Sequence, residues 1–104
     1  MSIFELDISK EKIEGGVRIN AVGRVNTNNA NMLLFEIGRA IDDGYKNIYI
    51  NMSRVEYLSS TGIRVILKSY KDAAKSGLTL GVERPSENVR NVLGVAALGE
   101  LLLA

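Results

Sequence analysis

The strongest constraint on the fold lies between residues 47 and 75, where a strand pattern gives way to a helix pattern across a run of hydroxyl side chains. Asn47-Ile48-Tyr49-Ile50-Asn51-Met52 is β-branched and aromatic, as a central strand would be. After Gly62, the apolar residues Ile63, Ile66, Leu67, Tyr70, Ala73 and Ala74 keep helical spacing, and Ser76-Gly77 ends the run. Ser59, Ser60 and Thr61 stand at the junction. The first turn of a helix carries unpaired N–H groups and the positive end of the macrodipole, so a hydroxyl there caps the helix or carries a phosphate with electrostatic support. Capping accounts for one hydroxyl but not for three in a row, which makes the turn a candidate regulatory site.

The flanking segments give that unit neighbours. Phe4, Leu6 and Ile8 alternate with polar residues as a half-buried strand, Gly15-Gly16 marks a turn, and Val17, Ile19 and Ala21 begin a second strand that runs into Val22-Gly23-Arg24-Val25. A hairpin at one edge of a sheet is expected. Asn26-Thr27-Asn28-Asn29 supplies capping side chains for a helix over 28–43, with a stripe of Leu33, Ile37, Ala40 and Ile41, Met32 and Leu34 on its flanks, and a stop at Asp42-Asp43-Gly44. Leu78, Leu80 and Val82 form a further strand, Pro85-Ser86 breaks and caps, and 87–94 form a third helix. The last apolar segment, 95–103, ends as a helical turn or an edge strand. This order implies a single-domain α/β sandwich over 1–104, with helices packed on a mixed, mostly parallel sheet and right-handed crossovers in its middle. In such sheets sites gather beyond the carboxyl ends of the strands, where both the 26–28 and the 59–61 turns fall.

Composition removes whole classes of chemistry. Cysteine and histidine are absent, which excludes disulfides, thiol nucleophiles, the usual zinc ligand sets and the commonest general base. Neither paired carboxylates flanking a pocket nor a Gly-rich phosphate loop is found, so no catalytic, cofactor-binding or metal-binding residue is assigned and the chain reads as a binding module, not an enzyme. A formal charge of +1 provides no general field for nucleic acid or an anionic membrane. Residues 1–7 alternate where a signal peptide needs a continuous apolar run, and no stretch approaches a membrane-spanning length, so a soluble, cytoplasmic protein without membrane insertion is expected.

Gly23-Arg24-Val25-Asn26, then a helix, the strand 48–52, Val55-Glu56-Tyr57-Leu58-Ser59-Ser60-Thr61-Gly62-Ile63 and the segment 80–92 together resemble the STAS domain, the fold of bacterial anti-sigma-factor antagonists, over nearly the whole chain. The resemblance implies a regulatory switch. Family antagonists bind an anti-sigma factor that is also a serine kinase, releasing the sigma factor; phosphorylation of one serine before the second helix abolishes binding, and a phosphatase restores it. The antagonist pattern at that turn is Asp, the acceptor serine, a small or hydroxyl residue, then Gly. Carried over, the acceptor falls on Ser60, with Ser59 and Thr61 as neighbouring alternatives, and Gly62 matches the Gly. Asn26, Thr27, Asn28, Ser59, Thr61 and Gly62 are then the expected partner-binding residues around it.

Ser59 and Asn26 stand where the family pattern carries Asp. Serine in the first of these places also occurs in STAS proteins of larger signalling complexes and transporter accessories. A second reading therefore stays open: a constitutive STAS docking subunit of a stress-signalling scaffold, or of the ATPase of a lipid or anion transporter. Arg64, Lys68, Lys71 and Lys75 follow one another at spacings of four, three and four, a row of cations opposite the Ile63/Ile66/Tyr70 stripe. That row is either a solvated face, with Asp72 pairing Lys68, or a docking strip for an acidic partner in which Arg64 and Lys68 take part. Arg64, one turn from Ser60, could also reach a phosphate there. Oligomeric state is open, since the apolar tail 101–104 could pack on its own sheet or on a second copy.

Overall fold

The computed structural model of the chain describes residues 5–103. Four strands, β1 (Leu6–Ile13), β2 (Gly16–Val25), β3 (Asn47–Leu58) and β4 (Thr79–Glu83), alternate with helices α1 (Ala30–Asp42) and α2 (Ser60–Lys75), and α3 (Glu87–Val95) and α4 (Gly99–Leu102) complete the chain. The strands form one sheet in the order β1-β2-β3-β4. β1 and β2 are antiparallel, and β2, β3 and β4 are mutually parallel. The chemistry of the connections dictates this, because a hairpin needs a tight turn and parallel neighbours need a crossover helix. Phe4, expected in the first strand, lies outside the described residues.

One face of the sheet is apolar and covered. Val17, Ile19 and Ala21 of β2, Ile48, Ile50 and Met52 of β3, and Leu80 and Val82 of β4 are buried, with α1 packing on β2 and β3 and α2 on β4. The intervening residues turn to the other face, where Arg18 pairs with Glu11 at 3.0 Å and with Glu83, and Asn51 donates to Asn20 at 2.8 Å.

α1 buries Ala30, Leu33, Ile37 and Ala40 as its spacing predicts, while Leu34 and Ile41 pack at the margin and Met32 is exposed. α2 is rolled relative to its expected stripe. Its buried residues are Gly62, Val65, Ile66, Ser69 and Ala73; Ile63, Leu67 and Tyr70 are half-buried and Ala74 is exposed. The displacement is about 80° around the helix axis. α2 packs on α1 as well as on β4, and a helix that meets two neighbours need not bury the stripe that a single sheet contact would select.

β3 continues past the β-branched run as far as Leu58, although β4 pairs with it over residues 47–51. α3 takes the place of β4 beside the remainder. The Ser86 N–H donates to the Met52 carbonyl at 3.1 Å, the Ser86 hydroxyl to the Val55 carbonyl at 2.6 Å, and the Asn88 amide to the Glu56 carbonyl at 2.7 Å. Ser86 also caps α3 by accepting from the Val89 N–H. The end of the chain combines the two expected alternatives: α4 buries Leu102, and Leu103 then forms a parallel bridge to Val82 of β4.

Candidate functional site

β2 and β3 end side by side, with Val25 paired to Leu58, and the Ser59 N–H donates to the Val25 carbonyl at 2.9 Å. The turns that leave the two strands are thereby brought together. Ser59 is extended (φ −74°, ψ 167°), and its hydroxyl accepts from the Gly62 N–H at 3.1 Å, so among the three hydroxyl residues it is the helix cap, and it is buried. Ser60 is the first residue of α2 and is exposed. The Thr61 hydroxyl lies 3.3 Å from that of Thr27 in the facing turn. Gly62 is required by close approach: a Cβ there would sit 2.7 Å from Leu58 Cδ1 and 2.8 Å from Val25 Cγ1. α2 thus starts at Ser60, three residues before the helical apolar period begins at Ile63.

The facing turn is held by two asparagines. Asn26 Oδ1 accepts from the N–H groups of Asn28 and Asn29 at 2.9 and 3.0 Å, and Asn29 Oδ1 accepts from the Asn26 N–H at 2.8 Å. Asn29 also donates to the Arg24 carbonyl at 2.8 Å. These reciprocal bonds close residues 26–29 into a turn, which is why α1 begins at Ala30 and not at 28. Asn26 and Asn28 are therefore parts of the turn's framework, the former through its side chain and the latter through its backbone, while Thr27 and Asn28 are exposed. Asn26 Nδ2 donates to the Glu5 carboxylate. A carboxylate thus reaches this corner from the start of the chain even though position 26 carries none. Nothing local in the sequence signals that contact, because it joins residues 21 positions apart at the open end of the hairpin.

Two further features, not identified from the sequence, border the corner. The Arg24 guanidinium lies 4.7 Å from the centre of the exposed Tyr57 ring, across the β2–β3 pair. An apolar groove lined by Ile63, Val92, Val95 and Ala96 opens between α2 and α3, with Val95 91% exposed. Its signal was a valine at the end of α3 falling off the buried Val89/Leu93 stripe.

Arg64 and Lys68 are exposed on the outer side of α2. Lys68 pairs with Asp72 at 2.7 Å, and this hydrogen bond holds the Asp72 carboxyl below its ordinary range. The structure thus gathers Asn26, Thr27, Ser59, Ser60, Thr61 and Gly62 at one corner, sets Asn28 on its rim, and extends it down α2 through Arg64 and Lys68. Chemically, the corner offers an exposed hydroxyl at a helix N-terminus among hydroxyl and amide groups, with the Glu5 carboxylate bound to Asn26 at its edge. A phosphate on Ser60 would be favoured there by about 0.3–1 kcal/mol through the macrodipole. Among the described residues no cluster of carboxylates could hold a metal ion, and no helix is long and apolar enough to cross a membrane.

The profile of the STAS domain matches residues 7–102. A Bordetella bronchiseptica protein named as an anti-sigma factor antagonist, BtrV, is 32% identical over 62 residues, which span 60% of this chain and 53% of the relative. The match thus covers about half of that protein's length. Among solved structures, an anti-sigma factor antagonist from Mycobacterium paratuberculosis superposes with a TM-score of 0.84 at 22% identity, over 93% of this chain and 82% of that one. SpoIIAA in its unphosphorylated form gives 0.79 at 21% identity, over 93% and 86%. The Bacillus cell fate determinant SpoIIAA in its phosphorylated form gives 0.73 at 20% identity, over 93% and 89%. The likeness to these structures is one of fold.

Proposed function

This chain belongs to the STAS domain family, and from that membership we propose that it acts as an anti-sigma-factor antagonist, a regulatory binding protein and not an enzyme. Its partner is an anti-sigma factor that is also a serine kinase. The partner docks on the corner formed by the 26–28 turn and the start of α2, phosphorylates Ser60, and is thereby released until a phosphatase removes the phosphate. One observation carries the reading: Ser59 does the capping, which leaves Ser60 as an exposed first-turn hydroxyl with no structural duty. A phosphate on Ser60 adds about −1.5 to −2 charges where a partner would pack, while the helix start tolerates that charge. The complex is lost and the fold is kept.

The intact mass of the purified domain, after incubation with ATP and soluble extract of its source cells, tests this beside Ser60→Ala and Thr61→Ala variants. A single phosphoryl adduct that disappears in the Ser60 variant alone is the expected result. Ser59 and Asn26 in the places of two family aspartates favour the second reading, a STAS subunit docked constitutively in a signalling scaffold or on a transporter ATPase. An unchanged mass, with a partner still retained by both wild type and Ser60→Ala, would establish that reading instead.

A further inference from the structure

Helix α2 carries the charge asymmetry of the molecule. Arg64, Lys68, Lys71 and Lys75 are all exposed and Asp72 is the one carboxylate on the helix, a net charge of +3. Of the thirteen basic and twelve acidic residues of the chain, nine and eleven lie outside α2, a net charge of −2. Lys68 is neutralised by Asp72, while among the described residues no carboxylate pairs with Arg64, Lys71 or Lys75. At 3.6 residues per turn, Ser60 and the four cations fall within about 80° of one another, on a stripe about 22 Å long. That stripe lies opposite the buried Val65, Ser69 and Ala73.

We infer that this stripe is a docking surface for an acidic face of the protein that engages the Ser60 corner, and that a phosphate on Ser60 weakens it by charge. The identity of that protein rests on the antagonist reading, whereas the chemistry of the stripe does not. A face that serves solubility alone intersperses both signs; here cations are gathered on one helix of a molecule that is otherwise anionic, and the stripe begins at the corner itself. Complementary charge of this kind steers encounter and sets orientation. Phosphate on Ser60 would cut the +3 of the helix to about +1, and Arg64, one turn along, lies within reach of the new anion. A bilayer is a poorer fit, since Leu67 beside the stripe is half-buried while the exposed Met32 and Phe35 lie on α1. The net negative charge of the remaining surface disfavours nucleic acid.

Amide chemical shifts of the labelled domain, titrated at about 50 mM salt to limit screening, read the stripe directly. The probes are a ten-residue glutamate peptide, a ten-nucleotide oligothymidine of nearly matched charge, and phosphatidylserine-containing vesicles. The peptide is expected to shift residues 64–75 and to bind more tightly than the other two. The shifts should vanish in Arg64→Glu/Lys71→Glu, persist in Lys12→Glu/Lys46→Glu, and need threefold or more peptide in Ser60→Glu. Absence of α2 shifts, equal shifts in the charge-reversed α2 variant, or tighter binding of oligothymidine or vesicles overturns the inference. A Ser60 phosphoryl adduct with a silent α2 would leave the switch standing without the stripe, and α2 shifts without an adduct would do the reverse.

Discussion

Ser59, Ser60 and Gly62, around the start of α2, differ in physical role. Ser59 satisfies a helix N–H, Ser60 faces solvent, and Gly62 makes room for Val25 and Leu58. Ser59→Ala is expected to cost about 1 kcal/mol through loss of the cap, whereas Ser60→Ala, at an exposed position, should stay within about 0.5 kcal/mol of wild type. Gly62→Ala gains about 1 kcal/mol of helix propensity but places a methyl group within 3 Å of two side chains. Overpacking of this kind costs about 1–3 kcal/mol, so the expected net effect is destabilising. Urea midpoints of the three variants check this order, and a Ser60→Ala variant as unstable as Ser59→Ala would mean that the hydroxyls had been assigned to the wrong duties.

At the scale of elements, the other face of the sheet carries an ion cluster that crosses the strands. Arg18 of β2 reaches Glu11 of β1 and Glu83 of β4, spanning the whole sheet. The Arg18 hydrogen bond holds the Glu11 carboxyl below its ordinary 4.5, and the two carboxylates raise Arg18 in turn. Because the folded state binds fewer protons than the unfolded chain near pH 4.5, Glu11 contributes stability that is complete above about that pH and lost as pH falls through its lower folded value. Arg18→Met keeps most of the stem and removes the cation, so its stability should fall less steeply than that of wild type between about pH 6 and about pH 3. Urea denaturation at several pH values reads the difference, and parallel profiles would show that the ion cluster does not contribute. α3 illustrates the same point by other means, since its cap residues satisfy the β3 carbonyls that β4 does not reach.

The whole molecule shares one core. Its Cα radius of gyration is 12.4 Å, close to the roughly 13 Å of a compact chain of 100 residues. The last helical turn belongs to that core, with Leu102 fully buried and Leu103 bridged to Val82. Leu102→Ala is therefore expected to cost about 2–5 kcal/mol and to shift a single cooperative transition, as for other small domains. A midpoint unchanged in urea would show the turn to be peripheral.

Element type and order were legible because strand and helix periods differ and because caps and stops punctuate them; the alternation at Val17, Ile19 and Ala21 and the spacing at Leu33, Ile37 and Ala40 are local signals. The hydroxyl corner was legible for the same reason, as capping residues betray helix starts and parallel strands bring their carboxyl ends together. The roll of α2 was not, because it depends on how closely two helices pack, and a periodicity cannot say which of two adjacent stripes meets the larger neighbour. Nor was the reach of Glu5 to Asn26, the stacking of Arg24 on Tyr57, or the use of α3 in place of a longer β4. Each joins residues distant in the chain, and pairings of that kind are decided by register and packing, which exist only once the chain has folded.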